Sequence, residues 1–166
     1  MRVRVIVASR HDGTLEIAHE LAGRLAERGL AADVTRHERY GGLDIELRAD
    51  DAVELCSADY STDWMGRARR FVDEHAAQLR QHPLWLFSAG ARHGADGAEV
   101  DTSWTDDVAA GTGAIAHHVF LSRLDPTRLT FGERFVATKK DLPVGDFRDW
   151  SDVTAWADEI ADHLLG

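Results

Sequence analysis

The chain has 166 residues, 44% of them hydrophobic, and 19 Lys and Arg against 29 Asp and Glu give a net charge of −10. That length suits one domain, burying about 70% of its unfolded surface without covalent staples. A single cysteine excludes an internal disulfide framework and any disulfide partner within the chain, and fits a reducing compartment. The acid excess argues against nucleic acid as a partner, and no apolar run approaches the roughly 18 residues that span a bilayer.

Met1-Arg2-Val3-Arg4-Val5-Ile6-Val7 enters a strand pattern at once, with no apolar signal segment, so a cytoplasmic location is expected. The run through Ala8 is apolar on both faces, as in a buried parallel strand. A polar loop over residues 9–14 follows. Ile17, Leu21 and Leu25, with Ala18 and Ala22, then recur at helical spacing, and Gly29 sits where a helix ends. A second strand is expected over 31–35, irregular chain over 36–50 and a third strand over 52–57. Trp64, Ala68, Phe71, Val72, His75 and Leu79 predict a second helix, ended by Pro83. Leu84-Trp85-Leu86-Phe87 reads as a fourth strand, followed by a glycine-rich polar stretch over 88–101. A third helix over 105–110 and a fifth strand over 118–121 complete the alternation. A segment at about 122–149 interrupts it and carries a short helix with Phe131 and Phe135 four apart. Ser151 reads as the N-cap of a last helix striped by Val153, Trp156, Ala157, Ile160 and Leu164. The alternation predicts one α/β domain over 1–166, with helices on both faces of a parallel sheet.

In such a sheet ligands bind beyond the carboxyl ends of the strands, which selects the loops 9–14, 57–64 and 88–94. The first opens a helix, where unpaired N–H groups and the positive end of the dipole suit an anion. Other chemistries fail on inspection. No glycine-rich stretch ends in Gly-Lys-Ser/Thr. Gly111-Thr112-Gly113-Ala114-Ile115-Ala116 precedes a strand instead of following one, so it is no dinucleotide turn. Cys56 lacks the arginine six residues on that a cysteine phosphatase needs, because that position is Thr62. Leu86-Phe87-Ser88-Ala89-Gly90 lacks the first glycine of a nucleophile elbow. His117 and His118 are adjacent, so in a strand they point to opposite faces, and no zinc spacing exists among the histidines. No metal site is expected.

With these segments in place the chain resembles a flavodoxin-domain protein, and more closely the bacterial flavodoxin-like proteins related to menaquinone-dependent protoporphyrinogen oxidase. Val5 through Ala18 is similar to the family's first strand, phosphate loop and helix. Ala52 through Tyr60 looks like the strand and loop carrying a flavin-flanking aromatic, and Ala68 through His75 like the helix that follows. Pro83 through Gly90 is similar to the strand entering the second ring-binding loop. Leu124-Asp125-Pro126, Phe131-Gly132-Glu133-Arg134 and Gly145-Asp146-Phe147-Arg148-Asp149-Trp150 resemble the insert and C-terminal signature of the oxidase-like subgroup. The resemblance implies a flavodoxin-like five-stranded parallel sheet of order 2-1-3-4-5 and FMN as cofactor. By position, Ser9, Arg10, His11, Asp12, Gly13 and Thr14 would hold the phosphate. Ser57, Ala58 and Tyr60 would contact the isoalloxazine, with Trp64 shielding it and Ser88, Ala89 and Gly90 at the other edge. A flavin-dependent oxidoreductase or electron carrier follows, with a redox partner protein or a quinone.

The chain departs from the family pattern at several of these positions. Asp12 stands where the phosphate loop usually has glycine, and a carboxylate about 5 Å from a phosphate costs roughly 3 kcal/mol per unit-charge pair at an effective dielectric near 20. Arg10, turned inward, would offset a similar amount. Alternatively Asp12 caps the helix and fills the anion site itself. Cys56 replaces a family glycine, Asp59 places a charge beside the flavin, Ser122 also replaces glycine, and Glu54 falls in a strand buried on both faces. The alternative reading is therefore a flavodoxin fold that has lost FMN and serves as a binding or interaction module. Between Ser122 and Lys140 five basic residues face two acidic ones, so the rest of the chain carries −13. Leu129, Phe131, Phe135 and Val136 lie among these charges, and the segment reads either as a helix packed on the domain or as a patch for an anionic membrane.

Overall fold

Five parallel strands, β1 (Arg2–Ala8), β2 (Ala31–Arg36), β3 (Asp51–Asp59), β4 (Leu84–Gly90) and β5 (Ala116–Leu121), form a sheet of order β2-β1-β3-β4-β5. This is the expected topology. The computed structural model describes residues 1–9, 12–37, 46–59, 66–90, 103–139 and 144–166. Helices α1 (Asp12–Glu27), α2 (Gly66–Leu79), α3 (Ser103–Thr112), α4 (Phe131–Lys139) and α5 (Trp150–Leu165) connect and follow the strands.

The strand patterns explain the layering. Val3, Val5, Val7, Cys56, Trp85 and Phe87 point to one face and pack with Ile17, Leu21 and Leu25 of α1 and Val153, Trp156 and Ile160 of α5. The alternate residues Ile6, Ala8, Val53, Leu55, Leu84 and Leu86 point to the other and pack with Ala68, Phe71, Val72 and Leu79 of α2. A strand apolar on both sides has no face left for water, so it must be covered twice. Gly29 adopts φ +90°, and Leu30 N–H donates to the Leu25 carbonyl at 3.0 Å. That ends α1 in a Schellman turn, which only glycine enters without strain.

Several boundaries differ from expectation. β3 and β4 run on to Asp59 and Gly90. Ser57, Ala58, Ser88, Ala89 and Gly90 are therefore strand residues held in register with one another, because hydroxyls and small side chains keep the ladder as well as apolar ones. α1 begins at Asp12, so the first connection is shorter than the predicted loop. The N-cap of α5 is Asp149, not Ser151: its carboxylate accepts from Ser151 N–H at 2.9 Å and from Asp152 N–H at 3.3 Å. A carboxylate at that place satisfies two first-turn donors and meets the positive end of the dipole.

The interrupting segment is a closed excursion. After β5 the chain forms β6 (Arg123–Leu124), a 3₁₀ turn (Pro126–Arg128), α4 and β7 (Gly145–Asp146). β6 and β7 pair antiparallel, Arg123 opposite Asp146 and Leu124 opposite Gly145. Ion pairs then fasten the excursion to α1. Arg123 donates to Glu16 at 3.1 Å, and Arg148 donates to both Glu16 and Asp146. The Arg148 side chain is only 5% exposed and stacks on Trp150, its guanidinium 4.6 Å from the ring centroid.

Glu54 is the costliest residue of the core. It lies mid-strand in β3, between Val5 and Trp85, with no exposure. Trp156 Nε1 donates to its Oε1 at 3.3 Å, and Oε2 has no hydrogen-bond partner among the described residues. Burial disfavours the anion and pushes its pKa up to about 8, the Trp156 bond opposing. The same burial, with Glu54 adjacent, raises the Cys56 thiol.

Two outcomes are expected. The Glu54 carboxyl is protonated when folded and ionised when unfolded, so its contribution is complete below about pH 4.5 and is lost as pH rises towards 8. The limiting slope is about 1.4 kcal/mol per pH unit. Urea midpoints between pH 6.5 and 8 should show this decline, and Glu54→Gln should flatten it; a decline unchanged in the variant would refute the assignment. Arg148→Ala should cost about 1–2 kcal/mol and speed tryptic cleavage at Arg134 and Lys139. That acceleration should exceed what the fall in global stability explains, whereas a matching change would mean that the ion pairs do not hold the excursion down.

Candidate functional site

Parallel pairing brings the carboxyl ends of β1, β3 and β4 to one edge. Ala8 is level with Ser57, Ser57 with Ser88, Ala58 with Ala89, and Asp59 with Gly90. β1 is the point where the connections part. α1 leads from it outward to β2, while the chain then returns to β3 on its other side, which makes this edge the switch point at which such sheets take ligands. The edge is built of small residues. Ser9, Ser57, Ala58, Ser88 and Ala89 are all buried, so the ends of the strands form a low platform instead of a ridge of side chains.

The platform's hydroxyls are engaged. Ser57 Oγ donates to the Ala58 carbonyl at 3.2 Å. Ser88 Oγ lies 2.9 Å from His117 Nε2. Burial, with His118 adjacent, lowers the His117 pKa to about 4, so this imidazole is neutral at neutral pH. His118 points to the opposite face, as alternation requires. It stacks on Trp156 at 5.0 Å and meets Asp152 at 3.0 Å.

The start of α1 forms one wall. Its first turn holds Asp12, Gly13 and Thr14, and Thr14, like Ser9, is buried. Gly13 approaches the chain after β5 so closely that a Cβ would lie 3.0 Å from Ser122 Oγ. A larger residue there would push the two segments apart. The serine at 122 is thus accommodated by the glycine at 13.

Asp12 does not stand bare at the helix start. Its Oδ2 accepts from Arg128 Nη1 at 2.8 Å, and its Oδ1 accepts from Arg36 Nη1 at 3.4 Å. Arg36 is the last residue of β2 and also donates through Nε to the Ser9 carbonyl at 3.3 Å. Arg128 comes from the 3₁₀ turn, which Asp125 caps by accepting from Thr127 N–H at 2.9 Å. Two guanidinium groups therefore meet on this one carboxylate and neutralise it, Arg128 lying also 3.7 Å from Asp125. Sequence reasoning missed Arg36 entirely and met Arg128 only as one charge in a basic segment. The signal was available for Arg36, because an arginine ending a strand next to β1 must emerge at the same edge as the loop after β1.

Of the expected site residues, Ser9, Asp12, Gly13, Thr14, Ser57, Ala58, Ser88, Ala89 and Gly90 converge on this edge. Arg10, His11, Tyr60 and Trp64 lie outside the described residues, as does the side chain of Asp59. Among the described residues no group of His, Cys, Asp and Glu is arranged to hold a metal ion.

The sequence model of the flavodoxin domain matches residues 4–139. Among solved structures, a flavodoxin from the domain Archaea superposes with a TM-score of 0.61 at 12% identity, covering 100% of both chains. A cysteine-to-serine mutant of a Pseudomonas aeruginosa flavodoxin gives 0.60 at 18% identity, again over 100% of both. The two-electron reduced flavodoxin of Megasphaera elsdenii gives 0.53 at 16% identity, over 72% of this chain and 85% of that one. No curated protein sequence matches significantly. The structural likenesses speak for the fold, the sequence match for descent, and together they place this chain in the flavodoxin domain family.

Proposed function

We propose that the chain binds FMN at the edge above β1 and β3 and works as a redox protein. The charge balance at α1 carries this reading. A bare Asp12 would repel a phosphate, but Arg36 and Arg128 on its two oxygens neutralise that carboxylate. The first-turn N–H groups of α1, with the Ser9 and Thr14 hydroxyls, are the donors that a phosphate ester uses. The low platform of Ser57, Ala58, Ser88, Ala89 and Gly90 suits the approach of a flat ring to backbone groups. Tyr60 and Trp64 would flank and shield that ring, and Arg10 and His11 belong to the phosphate connection.

FMN, when bound, supplies reversible one- or two-electron chemistry at its isoalloxazine ring. The chain's own part is to hold and tune it. Asp59, at the end of β3, would disfavour added negative charge on the ring and so lower its potential. The acidic body of the domain would steer a basic partner protein into contact. The finer assignment, a quinone-linked oxidoreductase akin to the protoporphyrinogen oxidase-like subgroup, rests on the excursion built by residues 123–149.

That excursion also supports contact with an anionic membrane surface. Arg123 and Arg128 are committed to Glu16 and Asp12, so the available charge moves to α4. There Phe131 is 88% and Phe135 57% exposed. Arg134 and Lys139 flank them on the helix, the Lys139 ammonium 5.0 Å from the Phe135 ring centroid. Aromatic rings between cations suit a headgroup boundary. No helix among the described residues is long and apolar enough to cross a membrane, so such contact would be peripheral.

Two measurements test these readings. Purified chain mixed with FMN at micromolar concentration should quench flavin fluorescence and retain a yellow colour through gel filtration. Failure of both would leave a flavodoxin fold serving as an interaction module. Co-sedimentation with phosphatidylglycerol-containing vesicles should exceed that with pure phosphatidylcholine and fall in Phe131→Ser/Phe135→Ser, and equal recovery on the two compositions would refute the membrane reading.

A further inference from the structure

We infer that Arg36 and Arg128 select the phosphorylated form of the flavin, and that Asp12 is their internal stand-in for its phosphate. The inference rests on the FMN reading above and adds residues from two segments outside the connection between β1 and α1.

Three observations support it. First, the two guanidinium groups reach the same carboxylate from opposite sides of the chain. Arg36 arrives from the end of β2 and Arg128 from the 3₁₀ turn, much later in sequence. Second, both are held in place by other contacts. Arg36 is tied to the Ser9 carbonyl at 3.3 Å. Arg128 lies 3.7 Å from Asp125, the residue that caps its own turn, and Leu124 and Leu129 bury the flanks of that turn. Third, the carboxylate they share belongs to the first residue of α1, at the positive end of the helix dipole, where an anion is favoured. A carboxylate there, with two arginines on it, reproduces with one charge what a phosphate monoester would supply with nearly two.

Binding then becomes an exchange. An incoming phosphate shares or takes over guanidinium hydrogen bonds now directed to Asp12, and gains the stronger attraction because it carries more charge. Asp12 lowers the affinity for phosphate while keeping the two arginines in place when none is present. Riboflavin has the ring without the phosphate and cannot take part in that exchange, so the three residues separate FMN from riboflavin and leave the ring contacts alone.

The test measures dissociation constants for FMN and for riboflavin by fluorescence quenching, in wild type and in Arg36→Ala, Arg128→Ala, Arg128→Lys and Asp12→Asn. Each alanine variant should weaken FMN about tenfold or more, the usual effect of losing a charge-assisted hydrogen bond, and leave riboflavin within about twofold. Arg128→Lys should recover part of the loss. Asp12→Asn should tighten FMN with riboflavin unchanged. The decline of FMN affinity with salt should be shallower in Arg128→Ala than in wild type. Riboflavin serves as the control for folding, because a misfolded variant would lose both ligands. Equal losses for both flavins, or FMN binding indifferent to all four substitutions, would overturn the inference while leaving the FMN reading standing. Wild type that binds neither flavin would overturn that reading and the inference with it.

Discussion

The architecture depends on one constraint, the burial of both faces of a parallel ladder. Each parallel strand needs a crossover, and each crossover must cover apolar side chains that would otherwise meet water. Val5 and Val7 look towards α1 and α5, and Ile6 and Ala8 look towards α2. From that alternation follow the two helical layers, the alignment of all strand ends at one edge, and the parting of connections at β1. The site is a by-product of this geometry. Its platform is low because Ala8 of β1, Ser57 and Ala58 of β3, and Ser88, Ala89 and Gly90 of β4 are small and satisfy the ladder without projecting beyond it.

Against that regular frame the excursion between β5 and α5 acquires a role. A two-residue ladder and a set of arginines bring it back onto the first turns of α1, where Arg123 and Arg148 share Glu16 and Arg128 takes Asp12. The carboxylate that looked hostile to an anion is the anchor of this arrangement. One acidic side chain in isolation and the same side chain between two guanidinium groups have opposite electrostatic meaning, and only the tertiary structure distinguishes them.

Most of the fold was legible from local pattern. Runs such as Val5-Ile6-Val7 and Leu84-Trp85-Leu86-Phe87 encode doubly buried strands, and the stripe of Ile17, Leu21 and Leu25 encodes the face of α1. The strand ends were harder to read, because Ala58, Ser88 and Ala89 look like loop residues although they keep the ladder. Ser151 resembled a cap, but Asp149 outcompetes it with a charge placed to accept from two backbone donors. The site was legible in its loops and not in its charges. Nothing local connects Arg36 or Arg128 with Asp12, since the pairing exists only once β2 lies beside β1 and the excursion has folded back.

The packing of α1 against α5 joins the two ends of the chain. Arg24 and Arg28 of α1 pair with Asp158 and Asp162 of α5, above a shared core of Leu21, Leu25, Trp156 and Ile160. Ile17, Leu21 and Leu25 are covered in part by the sheet and in part by Val153, Trp156 and Ile160, so neither helix alone completes this layer. Removing α5 would therefore uncover the apolar stripe of α1 and take away one wall of the sheet.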